Sequence, residues 1–163
     1  NGGINYHITY VGPLGRTVSS KKIKVDISRS EVLQFNTLTK PVVISYSDLS
    51  AHNLLCYSLE EALVEKMRSV MQRMQSRDFY DIWYLITKNK MDVDFLINEF
   101  MEKCKSKNLN AADFSKKLEE RIPQYKAQWQ NSLSAQINDL PDFDTVARAV
   151  QRELRKLKLP SSS

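Results

Sequence analysis

Lys66, Arg73, Asp78 and Asp81 lie close together in the segment from Ser58 to Ile86, within stretches that are otherwise apolar at helical spacing. Charges so placed are unusual, since a charge on an apolar face needs a partner or an escape to water, and they mark where function should be sought. The same four charges could instead neutralise one another as a structural ion-pair cluster, since buried ion networks also perturb charged groups without doing chemistry. Residue types and spacing leave both readings open.

The elements that must position these residues follow from the pattern around them. At 100° per residue, Leu59, Ala62, Leu63, Met67, Val70, Met71 and Met74 form one apolar arc, with Lys66 inside it and Arg73 beside it. A cation on such a stripe must snorkel to water or meet an anion. Ser58 with Glu61 has the form of a capping box, which sets the helix start and the phase of its wheel. Gln75, Ser76 and Arg77 interrupt the pattern before Phe79, Ile82, Trp83, Leu85 and Ile86 resume it, so a second helix is expected from Arg77 or Asp78. Asp78 then occupies the first turn, where the helix dipole favours a carboxylate. Asp81 lies nearly one turn further on, so both carboxylates can address the cations across a short helical hairpin.

Upstream, K-I-K-V-D-I-S from Lys22 to Ser28 alternates, with Ile23, Val25 and Ile27 on one face and Lys24 and Asp26 on the other. This reads as a strand whose hairpin partner runs from about Asn5 to Val11, through a turn at Gly12, Pro13, Leu14 and Gly15. Pro41 to Tyr46 and Asn53 to Tyr57 are two further expected strands, joining the first in a mixed sheet. Downstream the chain is helical, from Asp92 or Val93 to about Lys105, then from Ala111 to Ile122. Pro123 breaks or restarts that helix before a segment through Tyr125, Trp129 and Leu133. A last helix opens near Asp142 and keeps its spacing to Pro160. The expected fold class is therefore α/β (α+β): a partial mixed sheet over residues 1–58, a C-terminal helical bundle over 59–160, and a tail at 161–163.

The last helix carries Arg148, Arg152, Arg155, Lys156 and Lys158 in a chain of net charge +5. Arg148, Arg152 and Arg155 are candidates for RNA phosphates. An acidic protein surface would suit them equally, and a solvated helical face explains the same charges. No apolar run approaches the roughly 20 residues of a membrane span, and no signal-peptide pattern opens the chain. Cys56 and Cys104 match no C-x-x-C or zinc spacing and are expected to be reduced thiols of a cytoplasmic protein. Neither His7 nor His52 has a Ser or Cys partner in sequence that would mark a nucleophilic site.

The runs E-E-A-L-V-E-K-M-R-S-V-M-Q-R and R-D-F-Y-D-I-W-Y-L resemble the AbiEii family of nucleotidyltransferase toxins, the toxin half of type IV abortive-infection toxin–antitoxin pairs. The resemblance implies a polymerase-β-type nucleotidyltransferase core joined to a helical region. It also implies transfer of a nucleotide from an NTP with Mg²⁺, tRNA acceptor ends as acceptors in some members, and an antitoxin partner. Carried onto this sequence, Lys66 matches the motif lysine that faces the nucleotide phosphates, and Asp78 matches the carboxylate of the R-D motif. Arg73 and Arg77 would join Lys66 around the phosphates, with Asp81 in support. Asp26 resembles the carboxylate of the later acidic strand, which joins two metal-binding ones or activates the nucleophile.

One part of the family pattern is missing. No Gly-Ser turn and no Asp-x-Asp strand precede Asp26, which leaves Asp26 as the one candidate for a metal ligand in the expected region. As given, the chain is expected to be a fragment that is inactive alone. The alternative is a non-catalytic RNA- or antitoxin-binding helical module, in which the same charges brace helices.

Overall fold

Residues 3–11 and 21–159 are described by the structure, a computed structural model. The chain divides into two compact units, Asn1–Val32 and Leu33–Ser163. In the first, β1 (Gly3–Tyr10) and β2 (Lys21–Ser28) form an antiparallel hairpin in the expected pairing. Ile4 faces Ile27, Tyr6 faces Val25, and Ile8 faces Ile23, so the alternating apolar residues of both strands share one side. Most of that side is exposed. The expected turn at Gly12 to Gly15 lies outside the described residues.

The second unit opens with another antiparallel pair, β3 (Leu38–Pro41) and β4 (Asn53–Cys56). Two separate two-stranded sheets therefore stand where a joined mixed sheet was expected, among the described residues. The first of these strands also lies upstream of the expected Pro41 to Tyr46. Pro41 has no N–H to give to a ladder and closes the strand opposite Asn53, while Val43 beyond it is almost wholly exposed and finds no apolar surface.

Helices make up the rest: α1 (Leu59–Gln72), α2 (Ser76–Trp83), α3 (Ile97–Lys105), α4 (Phe114–Leu133) and α5 (Phe143–Leu154). This agrees with the expected α/β class and its helical C-terminal part. Ser58 caps α1, its hydroxyl accepting from the Glu61 N–H at 3.1 Å. The Glu61 carboxylate does not return to the cap; it accepts the backbone N–H groups of Gln34 and Phe35 at 2.7 and 3.0 Å. Beyond Trp83, α2 widens into a π-helical segment, Tyr84–Lys88. A short 3₁₀ turn, Val93–Leu96, leads into α3, with Asp92 accepting from the Asp94 N–H.

Two helical expectations change. Pro123 sits inside one continuous α4 rather than dividing it. Leu118 on one side of it and Tyr125, Trp129 and Leu133 on the other are all buried in the same core, and that packing outweighs the lost hydrogen bond and the proline's steric conflict. Helix α5 ends at Leu154, short of Pro160, although Leu157 still packs against the core. Its start is as expected, with Asp142 accepting from the Thr145 N–H at 3.0 Å.

An aromatic cluster fixes α2 among its neighbours. Phe79 stacks on Tyr125 of α4 at 5.1 Å between ring centroids and lies 5.8 Å from Phe143 of α5. Trp129 meets Phe143 edge-on, and its indole N–H donates to the Pro141 carbonyl at 2.9 Å. Such ring pairs add about 0.5–1.5 kcal/mol each beyond their buried area. No helix among the described residues is long and apolar enough to cross a membrane.

Candidate functional site

The hairpin of α1 and α2 gathers Lys66, Arg73, Asp78 and Asp81 into one cluster. Asp78 stands in the first turn of α2, and its side chain is completely buried. Arg73, the residue that ends α1, grips it with two bonds, Nε to Oδ2 at 2.7 Å and Nη2 to Oδ1 at 3.1 Å. Lys66, two turns back on α1, donates Nζ to Asp78 Oδ1 at 3.0 Å and to Asp81 Oδ2 at 2.6 Å. Lys66 remains 26% exposed, and Arg73 and Asp81 more so. Asp78 is thus sealed by its partners while the cations around it keep an open side.

The electrostatics follow from that asymmetry. Burial alone would raise the Asp78 pKa, but the hydrogen bonds from Arg73 and Lys66 outweigh it and hold the carboxyl below its ordinary range. Burial likewise works against the Lys66 ammonium, and bonds to Asp81 and Asp78 overcome it, so Lys66 titrates above its ordinary value. Arg73 is raised by its bonds to Asp78. All three groups are therefore charged at neutral pH. A carboxylate this acidic and this enclosed is a poor proton acceptor, but it is well placed to aim two cations.

The geometry depends on α4 as well as on the hairpin. No basic residue stands in the last turn of α1. Arg121 of α4 supplies one from outside, donating to the carbonyl of Val70 and, at 3.5 Å, to that of Arg73. Ser76, the first residue of α2, donates its hydroxyl to the Tyr125 carbonyl at 3.3 Å. Both ends of the turn that carries Arg73 are thereby tied to one helix.

The remaining sequence candidates are placed as follows. Arg77 follows Ser76 in α2 and is exposed, with no ion pair to Asp78 or Asp81 among the described contacts. Asp26 belongs to the other unit, exposed on β2, with Lys24 Nζ 2.9 Å from Oδ1. Arg148, Arg152 and Arg155 are all exposed. Arg148 donates to the Asp144 carbonyl and the Thr145 hydroxyl, and Arg152 pairs with Glu153. Among the described residues, no group of three or more His, Cys, Asp or Glu side chains could hold a metal ion. Asp78 and Asp81 are engaged by cations, so they do not form the open oxygen set that Mg²⁺ requires.

A buried ion pair between α1 and α3 was not among the sequence expectations. Lys103 Nζ of α3 lies 2.7 Å from Glu61 Oε1 and 3.4 Å from Glu65 Oε2, and both Lys103 and Glu61 are 1% exposed. The signal was present: Lys103 follows the buried Phe100 by one turn and Leu96 by two, on the apolar side of its helix. It is the same anomaly that marked Lys66. Cys104 beside it is buried near Met71, and burial raises its thiol to about 11, so it is inert as a nucleophile. His7 and His52 are exposed.

No curated protein and no solved structure gives a significant match to the chain. A family model does, over residues 1–150, and it is that of the nucleotidyl transferase AbiEii toxins of type IV TA systems. The match spans the hairpin, the ion cluster and most of the helical bundle, and the chain belongs to this family.

Proposed function

We propose that the protein transfers a nucleotide from an NTP to an RNA, with a tRNA acceptor end as the acceptor, and that Lys66 binds the NTP phosphates. The observation that carries this reading is the cluster itself: a lysine held by two carboxylates, yet with one side open to solvent. Charge spreads over phosphate oxygens during such a transfer, and a preorganised cation stabilises it without needing to reorganise. Arg73 presents a second cation on the same carboxylate, and exposed Arg77 a third nearby in sequence.

Asp78 is a positioning residue in this scheme. It fixes the directions of Lys66 and Arg73 and stays ionised throughout. Asp81 shares Lys66 with it and is the more exposed of the two, so it is the carboxylate that a phosphate oxygen would displace. Asp26 is the remaining catalytic candidate, through the acidic-strand resemblance alone. The donor sets described above do not suit Mg²⁺, so no step is assigned to an ion held by these residues. A cytoplasmic location and a cognate antitoxin complete the proposal.

The test incubates the whole protein with labelled NTPs, Mg²⁺ and tRNA, and compares Lys66→Met, Asp78→Ala and Asp26→Asn. Removing a cation of this kind should lower incorporation by about a hundredfold or more. Wild-type incorporation by Lys66→Met would remove the role given to the cluster. A second reading, a non-catalytic module that binds an antitoxin or RNA, is favoured only by the complete burial of Asp78. Absence of transfer by the whole protein with any NTP would select it.

A further inference from the structure

Beside the ion cluster, α2 carries aromatic rings from the core to the surface. At 100° per residue, with Asp81 as zero, Arg77 falls at about −40°, Tyr84 at about −60° and Tyr80 at about −100°. These four residues share one side of the helix, while Phe79 and Ile82 turn away from it and are buried. Tyr80 is partly buried, and Tyr84 beyond it is 46% exposed.

The exposed ring is held from beneath. Trp129, buried in α4, lies 6.0 Å from Tyr80, and Tyr80 stacks on Tyr84 at 6.2 Å between ring centroids. Trp83 lies 5.4 Å from Tyr80 and meets Tyr84 edge-on at 6.4 Å. A single exposed aromatic residue needs no explanation. This one prolongs the aromatic cluster of the core, so its ring is already ordered by two neighbours, and a planar ligand that stacks on it pays little further ordering cost. Tyr84 also opens the π-helical segment, a conformation that recurs at functional sites.

The charges next to the ring indicate what covers it. Lys66 bonds Asp81, which precedes Tyr84 by three residues, or about 4.5 Å along the helix. Lys66 and Arg73 of α1 meet the two carboxylates of α2, Asp78 and Asp81, which leaves Arg77 and Lys88 as a positive excess along the same segment. Lys88 stays cationic over the Trp83 ring, with Nζ 5.6 Å from the centroid. Burial, with Tyr84 and Asp81 close by, raises the Tyr80 hydroxyl above its ordinary pKa, so no phenolate adds negative charge. The surface is therefore aromatic on one side of Asp81 and cationic on the other. An apolar protein segment would leave the cations unmatched, and a bare phosphate would leave the ring unused. A planar base joined to a phosphate chain, within the length of one nucleotide, matches both.

We infer that Tyr84, backed by Tyr80, stacks the base of the NTP whose phosphates Lys66 binds. The inference rests on the proposed function and adds to it the residue that receives the base. Every base has a π-face, so a platform of this kind accepts all four nucleotides.

The test measures binding of ATP, GTP, CTP and UTP to the whole protein by titration calorimetry, with tripolyphosphate as the probe that lacks a base. Thermal melts verify that each variant is folded. Tyr84→Ala should weaken NTP binding about tenfold or more and leave tripolyphosphate binding unchanged. Tyr84→Phe keeps the ring and should bind NTPs as the wild type does. Unchanged NTP affinity in Tyr84→Ala overturns the inference. So does an equal loss in Tyr84→Phe, which would assign the effect to the hydroxyl and not to the ring face. Weakened binding of a short single-stranded RNA by Tyr84→Ala, with NTP affinity intact, also overturns it and gives the ring to the acceptor. Lys66→Met should weaken NTP and tripolyphosphate binding together. If it weakens neither, the phosphate reading falls and this inference with it, whereas a silent Tyr84→Ala beside a weakened Lys66→Met removes the base platform alone.

Discussion

Helix α1 joins two ion clusters to neighbouring helices, and the two differ in access to water. At its first turn, Glu61 and Lys103 are enclosed, and Glu61 also holds the backbone of Gln34 and Phe35. Further along, Lys66 and Arg73 hold Asp78 at an opening where both cations stay partly hydrated. The dry pair can only anchor, because its cation as well as its carboxylate is shut off from solvent and from any ligand. The wet cluster costs less desolvation and keeps donors that can exchange a protein carboxylate for a ligand oxygen. Burial, more than charge, separates a brace from a site.

Five substitutions would break or sharpen this contrast. Lys103→Met leaves the Glu61 carboxylate enclosed without its cation and should destabilise the protein by about 3–5 kcal/mol in denaturant unfolding, toward the lower end because two N–H donors remain. A loss below about 1 kcal/mol would mean that water reaches Glu61 and that the two pairs are alike. Asp78→Ala should cost less, about 1–3 kcal/mol, since Lys66 and Arg73 can rehydrate where Glu61 cannot.

The same carboxylate gives a pH signature. Its pKa is depressed on folding, so its contribution is complete above the unfolded value of about 3.9 and disappears as the pH falls through the folded one. The stability gap between wild type and Asp78→Asn should therefore be constant near neutrality and shrink below about pH 4. A gap that widened on acidification would reverse the sign assigned to Asp78.

Asp81→Asn should change stability by less than about 1 kcal/mol, because its carboxylate is partly exposed, while tightening the binding of tripolyphosphate by freeing Lys66. Weaker anion binding would show that Asp81 steers Lys66 instead of competing for it. The smallest effect belongs to Lys24→Ala. Lys24 and Asp26 pair in open solvent, and thermal melting should not distinguish the variant from wild type.

Much of the site was legible in the sequence because local rules determine it. Ser58 capped α1 and so set the wheel that put Lys66 on an apolar arc, and the interruption at Gln75 to Arg77 set the hairpin that returns Asp78 to it. The alternation of Lys22 to Ser28 identified β2 and its partner for the same reason. What escaped depends on partners distant in sequence. Nothing near Glu61 indicates that its carboxylate turns to Gln34 and Phe35 instead of closing a capping box. Nothing near Pro123 shows that buried rings beyond it will carry the helix through. The π-helical widening after Trp83 has no signature in residue type.

The reach of Arg121 to the carbonyls of Val70 and Arg73 also determines how the protein can be dissected. A synthetic peptide of the α1–α2 segment would contain all four charged side chains and none of the clamps that α4 provides. It should therefore lack the bidentate grip on Asp78. Grafting the motif into another scaffold would require α4 to be transplanted with it.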